Sequence, residues 1–176
     1  FLRFLKTVPG FESSFLIDLA QEIGVRDSRR IVGDYTLTRE DIFQSRSFDD
    51  EIALHLHRGP NVVGWVMHPP DGSEGTDEHR ATVGGPREAC VVGIPYRCLL
   101  PKDVGQLLVA GKTVSMTYEA HTRCRAMPPC MSFGQASGIA AAIASQQKIA
   151  PRQVDVKTLR DSLMKQGVNL QNRDLV

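Results

Sequence analysis

Two side chains in one polar stretch carry the clearest chemical potential of this chain. His121, two residues after Glu119, titrates near neutrality and is a candidate general acid or base. Arg125 can present a two-pronged guanidinium to a carboxylate. A hydrogen-bonded loop histidine and a structural ion pair are the competing readings. Upstream, Gly111 closes the apolar run Leu107-Leu108-Val109-Ala110, where the missing side chain lets the backbone pass close to a ligand. An ordinary turn is the alternative there. Downstream, Ser132-Phe133-Gly134-Gln135-Ala136-Ser137-Gly138 opens a segment rich in small residues, and nothing from Met131 to Gln147 is charged. The first-turn N–H groups of a helix beginning there point outward unpaired and favour negative charge. Gly134, Gln135 and Ala136 are the candidate contacts. A small-residue helix packed on a sheet is the structural alternative, and the two are compatible.

The elements that must hold these groups follow from pattern. Leu107–Ala110 reads as a short buried strand of the kind found in parallel sheets, and Ser132–Gln147 as a helix. Pro128-Pro129 reads as a stiff connector that fixes Arg125 and Met131. Earlier in the chain, Phe11, Phe15, Leu16, Leu19, Ala20 and Ile23 recur at helical spacing between Pro9-Gly10 and Gly24. Arg29 to Leu37 alternates as a strand. Thr38 with Asp41 forms a capping box for a short helix. Ile52–Leu56, Val62–Met67 and Cys90–Ile94 are strand candidates, Pro69-Pro70-Asp71-Gly72 is a turn, and residues 71–88 form a surface loop. After Pro151, the positions Val156, Leu159, Leu163 and Met164 make a short amphipathic helix stopped at Gly167.

Composition narrows the function classes. Twenty-one basic against 20 acidic residues leave a net charge of +1, which makes no electrostatic case for nucleic acid or an anionic membrane. The basic cluster Arg26 to Arg30 reads as a solvated loop with one or two ion pairs. No uncharged run reaches the ~20 residues of a membrane span. Cys90, Cys98, Cys124 and Cys130 contain no C-x-x-C pair, so free thiols are expected rather than zinc or an iron–sulfur cluster. His55 and His57 alternate along a strand candidate, but two histidines alone are a weak metal signal, and no metal site is expected. The setting expected for such a chain is cytoplasmic.

Several motifs in order resemble the FAD-dependent oxidoreductase family related to glutathione reductase and fumarate reductase. They are Pro9-Gly10-Phe11-Glu12, Gly24-Val25-Arg26-Asp27-Ser28-Arg29-Arg30, Gly33-Asp34-Tyr35-Thr36-Leu37-Thr38, Ile94-Pro95-Tyr96-Arg97-Cys98-Leu99-Leu100-Pro101, Arg125-Ala126-Met127-Pro128-Pro129-Cys130-Met131 and the Gly-Gln-Ala-Ser-Gly segment at 134–138. The resemblance implies that FAD is the cofactor, contacted by Gly111, Met131, Gly134, Gln135 and Ala136. It places Arg125 on the substrate side as a carboxylate or flavin-side cation. It puts His121 and Arg97 beside it as further catalytic candidates, with packing or ion pairing the alternative for Arg97. Cys130 lies near the ring or is an inert buried thiol. His68 precedes the Pro-Pro-Asp-Gly turn, where this branch tends to carry an aspartate–x–histidine segment; Val66 stands in place of that acid.

One family feature is missing. No G-x-G-x-x-G occurs in the chain, so the pyrophosphate cradle of a dinucleotide-binding fold is absent from this sequence. The expectation is a mixed α/β chain that forms the C-terminal part of a larger flavoprotein. Residues 1–100 would be part of a β-rich substrate-side region. Residues 101–176 would complete a Rossmann-like FAD-binding domain with a C-terminal strand and helices. Its partners would be a small organic substrate and the missing N-terminal half, or another copy of the chain, and alone it would be inactive. The alternative is a non-catalytic assembly module that docks onto a partner carrying the phosphate-binding half.

Overall fold

The computed structural model describes residues 1–57 and 90–173. The strand expected at Val62–Met67, His68, the turn at 69–72 and the loop at 71–88 lie outside the described residues.

Five helices and two strands are formed among them. They are α1 Leu2–Leu5, α2 Arg39–Phe43, β1 Glu51–His57, β2 Cys90–Pro95, α3 Tyr118–Cys124, α4 Met127–Gln147 and α5 Val156–Lys165, with short 3-10 turns at Tyr96–Leu99, Gly111–Thr113 and Pro151–Gln153. Strands β1 and β2 pair antiparallel from Glu51↔Pro95 to His57↔Cys90, with an irregularity between Glu51 and Ala53. The capping box at Thr38 is present, its hydroxyl accepting from the Asp41 N–H while the Asp41 carboxylate accepts from the Thr38 N–H. Helix α5 begins at an Asp155 cap whose carboxylate takes the Thr158 N–H at 2.9 Å, and Gly167 beyond its end has φ +86°.

One hydrophobic core gathers residues from both expected regions: Leu37, Ile52 and Ile94 pack with Phe133, Ala140 and Leu159. The long helix α4 supplies it through Pro129, Phe133, Ala136, Ala140, Ile143 and Ala144, which follow a helical stripe. Its opposite face carries Met127, Met131, Gly134, Gly138 and Ala141, and all of these are exposed.

Four expectations are corrected. Leu107–Ala110 forms no strand: it runs extended, with Val109 donating to the Leu99 carbonyl at 2.9 Å. A buried parallel strand needs a neighbour on each side, and the sheet among the described residues has only the two strands β1 and β2. The segment Arg29 to Leu37 makes only isolated bridges, Gly33↔Pro101 and Leu37↔Met116. Residues 11–23 form no helix, and their apolar side chains Phe11, Phe15, Leu16, Leu19 and Ile23 are 51–91% exposed. A helix of that length is marginal without a surface to pack on, and none of the described elements covers this one. Finally, α4 starts at Met127, so Pro128 and Pro129 lie in its first turn and form no separate connector. Proline fits there because its missing N–H would be unpaired in any case.

Candidate functional site

The turn at Gly111–Thr113, helix α3 and the start of α4 bring the candidate groups to one end of the molecule. Gly111 has φ +75°, and a Cβ built on it would meet nothing within 4 Å. Glycine is therefore required by the left-handed backbone, and the space beside it is open. From this turn the Lys112 carbonyl accepts the Nε2–H of His121 at 2.9 Å.

Thr117 starts α3, its hydroxyl accepting from the Ala120 N–H. The cap sets the helix so that His121, one turn in, is only 1% exposed. Because Nε2 donates to a carbonyl, the neutral ring leaves Nδ1 as a bare acceptor. Nδ1 has no hydrogen-bond partner and lies 3.5 Å from the Asp27 Oδ1. Burial pushes the His121 pKa below its ordinary value, opposed by the Asp27 carboxylate and reinforced by Arg30. The ring is therefore neutral at pH 7.

Arg125 ends α3 and donates from Nη1 to the Arg26 carbonyl at 2.8 Å. Lys112 Nζ donates to the neighbouring carbonyl of Val25. Arg30 pairs with Asp27 at 2.8 Å and also donates from Nε to the Met116 carbonyl at 3.1 Å. These partners were not singled out by sequence reasoning. The sequence reads Arg26–Arg30 as a solvated loop with one or two ion pairs, and the Arg30–Asp27 pair is one of them.

Arg97 is placed differently. It grips Asp50 with two prongs, Nε to Oδ2 at 2.9 Å and Nη2 to Oδ1 at 3.0 Å, and its guanidinium lies 5.1 Å from the Tyr35 ring centre. Asp50 holds the guanidinium in its charged form. The structure thus gathers His121 and Arg125 with Lys112, Asp27 and Arg30, while Arg97 is committed to an ion pair.

The cofactor candidates divide in the same way. Met131 and Gly134 are exposed on the outer face of α4, and Gly134 has nothing within 4 Å of a built Cβ. Gln135 is exposed and donates to Gln166 Oε1 at 3.1 Å. Ala136 faces the core and has no exposure at all. Since the helix begins five or more residues earlier, the N–H groups of Gly134, Gln135 and Ala136 belong to the helical ladder and are not free donors. The true first turn is capped by Ala126 without a side-chain bond, and Pro128 and Pro129 supply no N–H. What remains at that end is the N–H groups of Ala126 and Met127 and the positive end of the helix dipole. Cys130 beside it has its thiol pKa raised by burial, with Lys112 acting against that shift. It is a neutral thiol at pH 7, not a thiolate.

The uncapped α4 terminus, the open glycine turn and the buried histidine near Arg30 and Arg125 all lie within the residues that one family model covers. The FAD dependent oxidoreductase family model matches residues 1–163. This chain belongs to the FAD dependent oxidoreductase family. No curated protein and no solved structure matches it. Family membership makes FAD the cofactor of its relatives' chemistry, and the match spans the stretch from Pro9 to the end of α4. Among the described residues, no group of three or more His, Cys, Asp or Glu side chains is placed to hold a metal ion. No helix among them is long and apolar enough to cross a membrane.

Proposed function

We propose that this chain walls the ring and substrate side of the FAD site in a flavin-dependent oxidoreductase. The phosphate-binding glycine motif would be supplied by a separate N-terminal flavoprotein segment. In this reading residues 101–176 complete the FAD-binding domain and residues 1–100 contribute the substrate side, the two sharing one core. Bound FAD would supply the hydride acceptor for a small organic substrate.

The observation that carries this reading is the outer face of α4 with the Gly111 turn beside its first residues. Met127, Met131, Gly134 and Gly138 leave a long uncharged strip with nothing standing above its two glycines. A flat aromatic ring needs such a surface, since any larger side chain would hold it off. Gly111 leaves matching space at the turn. The dipole of α4 favours negative charge at its start. Arg125 would add a fixed positive charge there, and His121 Nδ1 would take or hold a proton beside the substrate. Arg97 would have to release Asp50 before it could reach a substrate, so it stands behind Arg125 and His121 in this scheme. Ala136 acts by packing the helix from behind.

Flavin titration of the isolated chain tests the proposal. A ring-side wall without a phosphate cradle binds lumiflavin, FMN and FAD weakly and about equally. A strong preference for FAD over lumiflavin would refute the division of labour. No saturable binding of any flavin would favour the second reading, an assembly module whose part is docking. That reading draws on the exposed apolar segment from Phe11 to Ile23, which has the pattern of a helix but no surface of its own to fold against.

A further inference from the structure

The chain from Phe15 to Arg30 has almost no backbone pairing of its own, and only its last residues, Val25 to Arg30, lie across the Gly111 turn and the end of α3. Between Ser14, which donates to Phe11, and Ile31, which donates to the Thr113 carbonyl at 2.9 Å, none of the described backbone groups of this segment pairs with another backbone group. The segment is held instead by cations from the body of the protein. Lys112 and Arg125 donate to the consecutive carbonyls of Val25 and Arg26, and Asp27 then places its carboxylate against Arg30 and His121.

Two features of this arrangement are poor matches. A guanidinium and an ammonium are each spent on a neutral carbonyl, where a carboxylate would bind more strongly. His121, nine-tenths buried and more, turns the lone pair of Nδ1 toward another acceptor and has no hydrogen-bond partner there. Arg30 and Arg125 thus place positive charge near the unsatisfied ring nitrogen, Arg30 also pairs with the Asp27 carboxylate, and the Lys112 ammonium reaches the Val25 carbonyl on the same arm. The groups facing His121 are Asp27 and Arg30 from the arm, Lys112 from the turn through its carbonyl, and Arg125 at the end of its own helix. Their sum favours a further negative charge, and a proton arriving with it on Nδ1 would complete the hydrogen bond now missing.

We infer that Arg30, Lys112, Arg125 and His121 form a binding site for a small-molecule carboxylate, and that Asp27 is its internal place-holder. This rests on the reading that the chain walls the substrate side of a flavin, and it names the substrate class as an organic acid. The arm from Val25 to Asp27 would be displaced as the ligand takes over its partners. Arg125 and Lys112 would exchange carbonyls for carboxylate oxygens, and His121 would bind the ligand in its protonated form.

The test uses the flavin-free 176-residue chain, so its failure leaves the flavin reading standing, and failed flavin binding leaves this result intact. The His121 imidazole is followed by long-range nitrogen–proton NMR during titration with succinate, against sodium chloride of matched ionic strength. Succinate should move the His121 signals saturably and raise the pH at which the ring takes up its proton. Asp27→Asn, which removes the resident carboxylate, should bind succinate about tenfold tighter than the wild type, the scale of one charge-assisted hydrogen bond regained. Lys112→Gln should bind it about tenfold more weakly by the same measure. If Asp27→Asn does not fold, the Lys112→Gln comparison decides alone. Equal effects of succinate and chloride, or unchanged affinity in Lys112→Gln, would overturn the proposal. So would a response to pyrophosphate with none to succinate, which would make this a phosphate site.

Discussion

The two faces of α4 make opposite predictions for the same kind of substitution. Ala136 is fully buried among core residues, so Ala136→Leu forces three extra carbons into packed space. Overpacking of that kind costs about 1–3 kcal/mol. For a chain of this size each kcal/mol moves the melting temperature by roughly 2–4 °C, so a fall of about 2–12 °C is expected. Gly138 lies two residues on, with nothing within 4 Å of a built Cβ. Gly138→Leu therefore meets no clash and gains helix propensity, roughly 0.5–1 kcal/mol in favour of folding. The melting temperature of the isolated chain should hold or rise slightly. Lumiflavin binding should nevertheless be lost in Gly138→Leu, because the new side chain stands on the strip assigned to the ring. In Ala136→Leu, any loss of binding should track unfolding. Calorimetry and lumiflavin fluorescence on the two variants separate the cases. If Gly138→Leu melts as low as Ala136→Leu, the outer face of α4 is packed after all. If it melts normally and still binds flavin, that face is not the ring wall.

Three further outcomes follow from the site. His121 is buried and His55 half-buried, and both have pKa values depressed mainly by desolvation, so the unfolded chain binds more protons below the ordinary histidine value of about 6.5. Stability is complete above that pH and falls as the pH drops toward the depressed folded values; urea midpoints measured from pH 7.5 down to 5 should decline, and His121→Gln should make the decline shallower. An unchanged slope in that variant would mean that His121 takes up its proton in the folded chain as readily as in the unfolded one. Arg97→Ala breaks a pair whose arginine is 47% exposed but whose Asp50 is buried, so it should cost about 1–3 kcal/mol in thermal melts. Flavin reduction by the assembled enzyme should survive it, and a large rate loss without a melting change would move Arg97 into the reaction. Arg125→Ala should do the reverse, cutting flavin reduction on the order of a hundredfold or more while the melting temperature moves little. Wild-type reduction with a lowered melting point would assign Arg125 to holding the arm at Arg26.

Local rules read the chain well wherever a few neighbouring residues decide the outcome. The Thr38–Asp41 box, the β-branched run of β2, the alternating strand β1 and the amphipathic helix before Gly167 each carry their own signal within one or two turns of chain. The failures are of another kind. The stripe from Phe11 to Ile23 has a helical period, but a period becomes a helix only against a surface, and none of the described elements provides one. Leu107–Ala110 has the composition of a central strand, yet a strand exists only through its neighbours. The sequence pattern starts α4 five residues too late because two consecutive prolines look like a break. At the first turn they break nothing, since the hydrogen bonds they lack do not exist there.

The same distinction governs the site. Gly111, His121 and Arg125 can be singled out as candidates because residue type and proximity to a glycine turn mark them. Asp27, Arg30 and Lys112 cannot, since their role depends on an arm 80 or more residues away being laid across the turn, as in the contact from Arg125 to Arg26. That arm changes what the charged groups mean. Arg125 read alone is a free cation waiting for a ligand; in the folded chain it is occupied, but by a neutral carbonyl that a carboxylate can outbid. His121 read alone is a titrating base; folded, it is a neutral ring with one nitrogen satisfied and the other facing an acid. In the proposed site, chemistry would therefore depend on moving the arm as much as on the side chains beneath it. A substrate that leaves Val25–Asp27 in place would find neither Arg125 nor His121 available.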